Sequence, residues 1–122
     1  MISPAGRLDI PTLLLLLGTI FVLATGQILF KFAASGIQFG QPKTLLSWHL
    51  LVALAIYGIA TLMWLLVLTR LPLSFAFPFY GLTFLIVPIL ASIFLGETLR
   101  IQTILGGLVI MIGVVICAKG SP

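Results

Sequence analysis

The sequence predicts an all-α membrane protein, with four transmembrane helices in a compact bundle. Three observations carry that prediction. Apolar types make up 61% of the 122 residues and charged types only 7%. Mean hydropathy is +1.36. The few charges are spaced so that long uncharged stretches lie between them. Residues 10–30, 44–69, 71–96 and 101–118 carry no Asp, Glu, Lys or Arg. A helix needs about 20 residues to cross a hydrocarbon core of roughly 30 Å, so each stretch reads as one span.

The same numbers exclude other classes. A soluble domain carries about 25% charged residues. Six basic and two acidic residues cannot coat a water-facing globule of this size. The basic residues stand singly, so no patch tracks a phosphate backbone. One cysteine, Cys117, excludes an internal disulfide. Runs such as Leu13–Leu17 do not alternate, as barrel strands must. Helices are the other way to satisfy every backbone group in lipid.

The expected helices are 11–32, 45–69, 72–95 and 100–118, in one transmembrane domain covering 1–122. The first follows Arg7 and Asp9, and it is too long for a signal-peptide core of 7–15 residues. The 31–43 connection holds Gly36, Gly40, Pro42 and two lysines. Trp48 and His49 open the second span as interface anchors. Thr69-Arg70-Leu71-Pro72 is a tight turn, and Pro72 suits the first turn of span three. Gly96 closes span three, and Glu97 lies near the positive end of span four. Arg7, Arg70 and Lys119 face one side, and Lys31, Lys43 and Arg100 the other, so the positive-inside rule has little to act on.

The polar residues within or beside spans are the candidate site. Lys31 ends the first apolar run, and Gln27 lies four residues earlier on the same helical face. Two readings stand: a snorkelling lysine, or a cation that pairs a lipid phosphate while Gln27 bonds a polar headgroup. In span three, Pro78 and Pro88 each remove a backbone donor and can kink the helix. Tyr80 and Thr83 share a face there, as packing residues or as the lining of a cavity. Gly106 and Gly113 in span four are seven apart, a helix-packing signal for a dimer or for a contact within the chain. No catalytic constellation, metal cluster or phosphate loop is present, so neither an enzyme nor a cofactor nor a bound metal is expected.

The residues also occur in a familiar order. Gly26-Gln27-x-x-x-Lys31 precedes Trp64-Leu65-Leu66-Val67-Leu68 and Leu71-Pro72-Leu73-Ser74. Ala76-Phe77-Pro78, Leu82-Thr83-Phe84, Gly96-Glu97-Thr98-Leu99 and a Gly-rich fourth span follow. This order resembles the drug/metabolite transporter superfamily in its four-helix, half-size form. Within it, the chain resembles the EamA-like subunits that flip 4-amino-4-deoxy-L-arabinose-phosphoundecaprenol across the bacterial inner membrane.

The resemblance implies a multi-pass inner-membrane flippase subunit. It implies a polyprenyl-phosphate-linked sugar as cargo, and assembly with a second copy or a homologous subunit. The small multidrug resistance exporters look similar, but they carry a membrane-embedded glutamate in the first helix. Here Phe21-Val22-Leu23-Ala24-Thr25-Gly26-Gln27 holds no acid. An exporter of cations or small metabolites is therefore the alternative reading, with Glu97 as the acid it would use. A third reading is a membrane subunit that recruits a glycosyltransferase.

Overall fold

The computed structural model describes residues 9–38 and 40–120; Arg7 lies outside them. Four helical spans cross back and forth: Ile10–Ser35, Trp48–Leu68, Leu73–Phe94 and Ile101–Lys119. The first is α1 and the second α2. The third is composite: α3 (Leu73–Ala76), a 3-10 stretch (Phe77–Leu82), then α4 (Thr83–Phe94). The last span is α5 (Ile101–Lys119). No strand occurs among the described residues.

Local chemistry sets the helix ends. The Asp9 carboxylate caps α1 by accepting from the Thr12 backbone N–H at 3.0 Å, with a proline in the first turn. Ser47 caps α2 in the same way, accepting from the Leu50 N–H at 3.1 Å. A 3-10 turn, Pro42–Leu45, precedes it. At the end of α4, Gly96 adopts φ +67, which favours glycine. That turn lets the Leu95 and Glu97 N–H groups both reach the Ala91 carbonyl. α1 continues to Ser35, so Lys31 lies inside the helix and not at its end. α4 runs through Pro88 unbroken, and the departure from α geometry sits at Pro78 and Gly81.

The packed core occupies one end of the bundle. Leu16 and Ile20 of α1 meet Val67 and Leu71, Phe75, Ala76 and Phe79 of span three, and Val114 of α5. In an antiparallel arrangement these all lie toward the end that holds Asp9, Arg70 and Lys119. Toward the opposite half the buried residues are mostly small, beside Leu23 and Ile28. Ala24, Ala53, Ala60, Ala91 and Gly107 are buried there, and they bring backbones together where lipid offers no hydrophobic drive. α1 and α2 form the most extensive pair, and α5 packs mainly on span three.

Candidate functional site

The site begins with a stripe on α1. Leu16, Ile20 and Ala24 are each 0% exposed. Steps of three and then four residues carry the same face to Gln27 and Lys31, and both are exposed. The buried face of α1 therefore loses its cover at the point where it turns polar. Neither Gln27 nor Lys31 has a hydrogen-bond or ion-pair partner among the described residues.

Other polar side chains of the spans are spent locally. The hydroxyls of Thr19, Thr25, Thr61 and Ser92 each donate to a carbonyl three or four residues back. Thr83 does the same, donating to the Tyr80 carbonyl at 2.6 Å. Its bond supports the exit from the 3-10 stretch and ties Thr83 to Tyr80.

Tyr80 sits half-buried in an aromatic cluster. Its ring lies edge-on to Trp64 at 5.3 Å and is stacked with Phe77 at 5.5 Å. The phenol of Tyr57 lies within interaction range of the Tyr80 phenol. Tyr57 also meets Phe30 at 5.4 Å, and its ring would be in van der Waals contact, at 3.4 Å, with a Cβ built on Gly26. Gln27 and Lys31 thus share one face of α1, Tyr80 and Thr83 share span three, and Tyr57 of α2 links the two neighbourhoods. Tyr57 is not among the candidate residues drawn from the sequence. Its signal was available, since it is one of two tyrosines in the chain and sits in mid-span, where a phenol needs a partner.

At the loop end, His49 stacks on Phe32 with ring centroids 6.1 Å apart, and Trp48 is exposed. Glu97 and Arg100 are exposed in the connection that precedes α5. At the opposite end, hydrogen bonds from the Thr12 hydroxyl and backbone N–H hold the Asp9 carboxyl below its ordinary range. Among the described residues no group of three metal-binding side chains comes together.

Beside the stripe, a groove of about 410 Å³ separates α1 from α4. Phe21, Thr25, Ile28 and Phe32 form one wall, and Leu90 and Phe94 the other. Gly106 and Gly113 point away from the bundle, with nothing within 4 Å of a Cβ built on either. The contact of α5 with its own chain uses different glycines. Gly107 lies against Leu85, and Gly81 lies against Ile110 and Val114.

Comparison with known proteins adds to this geometry. The model of the EamA-like transporter family matches residues 3–118. A protein of Yersinia pestis (strain Pestoides F), named as the 4-amino-4-deoxy-L-arabinose-phosphoundecaprenol flippase subunit ArnE, is 35% identical over 106 residues, covering 84% of this chain and 92% of its own. The protein of the same name in Pseudomonas savastanoi pv. phaseolicola is 34% identical, covering 84% and 93%. That of Hamiltonella defensa is 32% identical over 107 residues, covering 88% and 96%. No solved structure matches the chain.

Proposed function

The chain belongs to the EamA-like transporter family, and from that premise we infer that it is a flippase subunit for an undecaprenyl-phosphate-linked sugar of the aminoarabinose type. It is a multi-pass protein of the bacterial inner membrane. The observation that carries the reading is the α1 stripe, buried to Ala24 and then uncovered and polar at Gln27 and Lys31.

The chemistry follows from cost. A polar headgroup in hydrocarbon without hydrogen bonds costs several kcal/mol, roughly 2–7 for each group. A flippase lowers that cost by offering partners along the path. Lys31 is the partner for the phosphate, and Gln27 for sugar hydroxyls. Tyr80, with Tyr57 beside it, continues the path, and Thr83 holds the Tyr80 backbone in place. Phe77 and Phe84 are exposed and keep the flank apolar. No acid lies within the four spans, so the subunit equilibrates its cargo and consumption of the product sets direction.

One chain of four spans encloses little. A second copy or a homologous subunit completes the path, and the outward face of Gly106 and Gly113 is the surface for it. The subunit performs no covalent chemistry.

The test is flipping of the sugar-linked lipid in proteoliposomes holding the full assembly. Lys31→Ala should slow flipping about tenfold, the equivalent of one charge-assisted pair, while the assembly stays intact. Normal flipping by that variant would remove the phosphate role of Lys31.

A further inference from the structure

We propose that the groove between α1 and α4 holds the phosphate-proximal isoprene units of a single-chain polyprenyl phosphate, with Lys31 on the adjoining face of α1, beside the groove's interfacial end, for the phosphate. The proposal rests on the flippase reading and names where the cargo's apolar part travels.

Three features point to that occupant. The first is extent. From Phe21 to Phe32 the groove follows α1 for about 16 Å, half of a hydrocarbon core of roughly 30 Å. It therefore spans one leaflet, from the loop-end interface marked by Trp48 and His49 to mid-membrane.

The second feature is capacity. A volume of about 410 Å³ spread over that length admits one hydrocarbon chain for its first few isoprene units, with no room for a second beside it, and the remainder of the tail extends into the bilayer. A phospholipid carries two chains and a polyprenyl phosphate carries one. The walls suit a methyl-branched chain: Phe21, Phe32 and Phe94 are all exposed aromatic rings along the groove. The one polar lining group, the Thr25 hydroxyl, donates to the Phe21 carbonyl at 2.9 Å and offers no free donor.

The third is charge. Lys31 follows Ile28 by one turn and adjoins Phe32, so a cation stands beside the interfacial end of the groove. It has no counter-ion among the described residues. A tail lying in the groove places its phosphate at the level of that ammonium. The headgroup then faces Gln27 on the neighbouring stripe, while the tail stays on the lipid side of α1.

Native mass spectrometry of the full chain in detergent tests this, with undecaprenyl phosphate and phosphatidylglycerol as separate probes. One undecaprenyl phosphate per chain should be retained, and phosphatidylglycerol should not displace it. Leu90→Trp fills the groove and should lower retention about tenfold. Leu62→Trp adds the same bulk on the exposed face of α2 and should leave retention unchanged. Phe94→Ala removes an exposed wall residue with little risk to folding, and should also weaken retention.

Unchanged retention in both groove variants would overturn the proposal, as would equal retention of phosphatidylglycerol. The two readings fail separately. A protein that keeps the lipid in the groove yet flips no sugar-linked form loses the flippase reading alone. Flipping that persists with retention indifferent to the groove variants loses the groove alone.

Discussion

A Cβ built on Gly107 would stand 2.7 Å from Cδ1 of Leu85, which makes this the tightest glycine contact of α5 with its own chain. The neighbouring Gly106 meets nothing within 4 Å. Two adjacent glycines therefore do different work. Gly107→Ala forces the Leu85 side chain to turn and should cost about 1–3 kcal/mol as overpacking. Gly106→Ala meets no atom of its own chain, and helix propensity alone should favour it by about 1 kcal/mol. Thermal unfolding in detergent should lower Tm for Gly107→Ala only. If Gly106→Ala instead leaves Tm intact but lowers the dimer fraction in cross-linking, the outward face is the subunit interface.

Gly81 gives a second packing test. A Cβ there would lie 3.0 Å from Ile110 Cγ2 and 3.1 Å from Val114 Cγ2. Both neighbours are β-branched and held to one rotamer in a helix, so neither yields easily. Gly81→Ala should push α5 off the 3-10 stretch and destabilise the protein by roughly 1–3 kcal/mol. Accessibility of Val114→Cys to a thiol reagent should rise in that background, and an unchanged labelling rate would show that α5 docks elsewhere.

Acid should loosen the start of α1. The folded Asp9 carboxyl titrates below its ordinary value of 3.8, because the Thr12 hydroxyl and N–H favour the charged form. A depressed carboxyl contributes its stability above the unfolded pKa and loses it as pH falls through the folded pKa. Hydrogen exchange of the Thr12 amide should therefore accelerate, relative to the intrinsic rate, only below about pH 4. Asp9→Asn keeps a good cap without a titrating group, so its exchange should lose that pH dependence.

Glu97 separates the flippase from a proton-coupled exporter. It is exposed in the connection before α5, outside the spans. Glu97→Gln should leave flipping of the lipid-linked sugar within about twofold of normal, as expected for a surface charge. Loss of transport with a pH-dependent step would favour the exporter.

Much of the architecture was legible because hydrocarbon imposes so narrow a rule. Uncharged stretches long enough to cross must be helices, and Pro72 and Gly96 lie at two of their boundaries, while Lys31 stands inside α1. Gln27 and Lys31 could be placed on one face from their spacing alone. What could not be read was which way any face points. All four spans are apolar on every side, so periodicity gives no inward direction. For that reason spacing selected Gly106 and Gly113, while packing within the chain uses Gly107 and Gly81.

The amino-acid sequence by itself determined the number of spans, the lack of an acid inside them and the family. The tertiary structure decided where the packing stops. Leu16 and Ile20 are covered because the large core residues gather at the Arg70 end of the bundle. Gln27 and Lys31 are uncovered because the other half is joined mostly through small residues, and its large buried side chain on α1, Ile28, lies on a different face. Tyr57 becomes a link between helices through its nearness to Gly26, Phe30 and Tyr80. Burial is a property of neighbours brought from distant parts of the chain, and a local pattern carries no record of them.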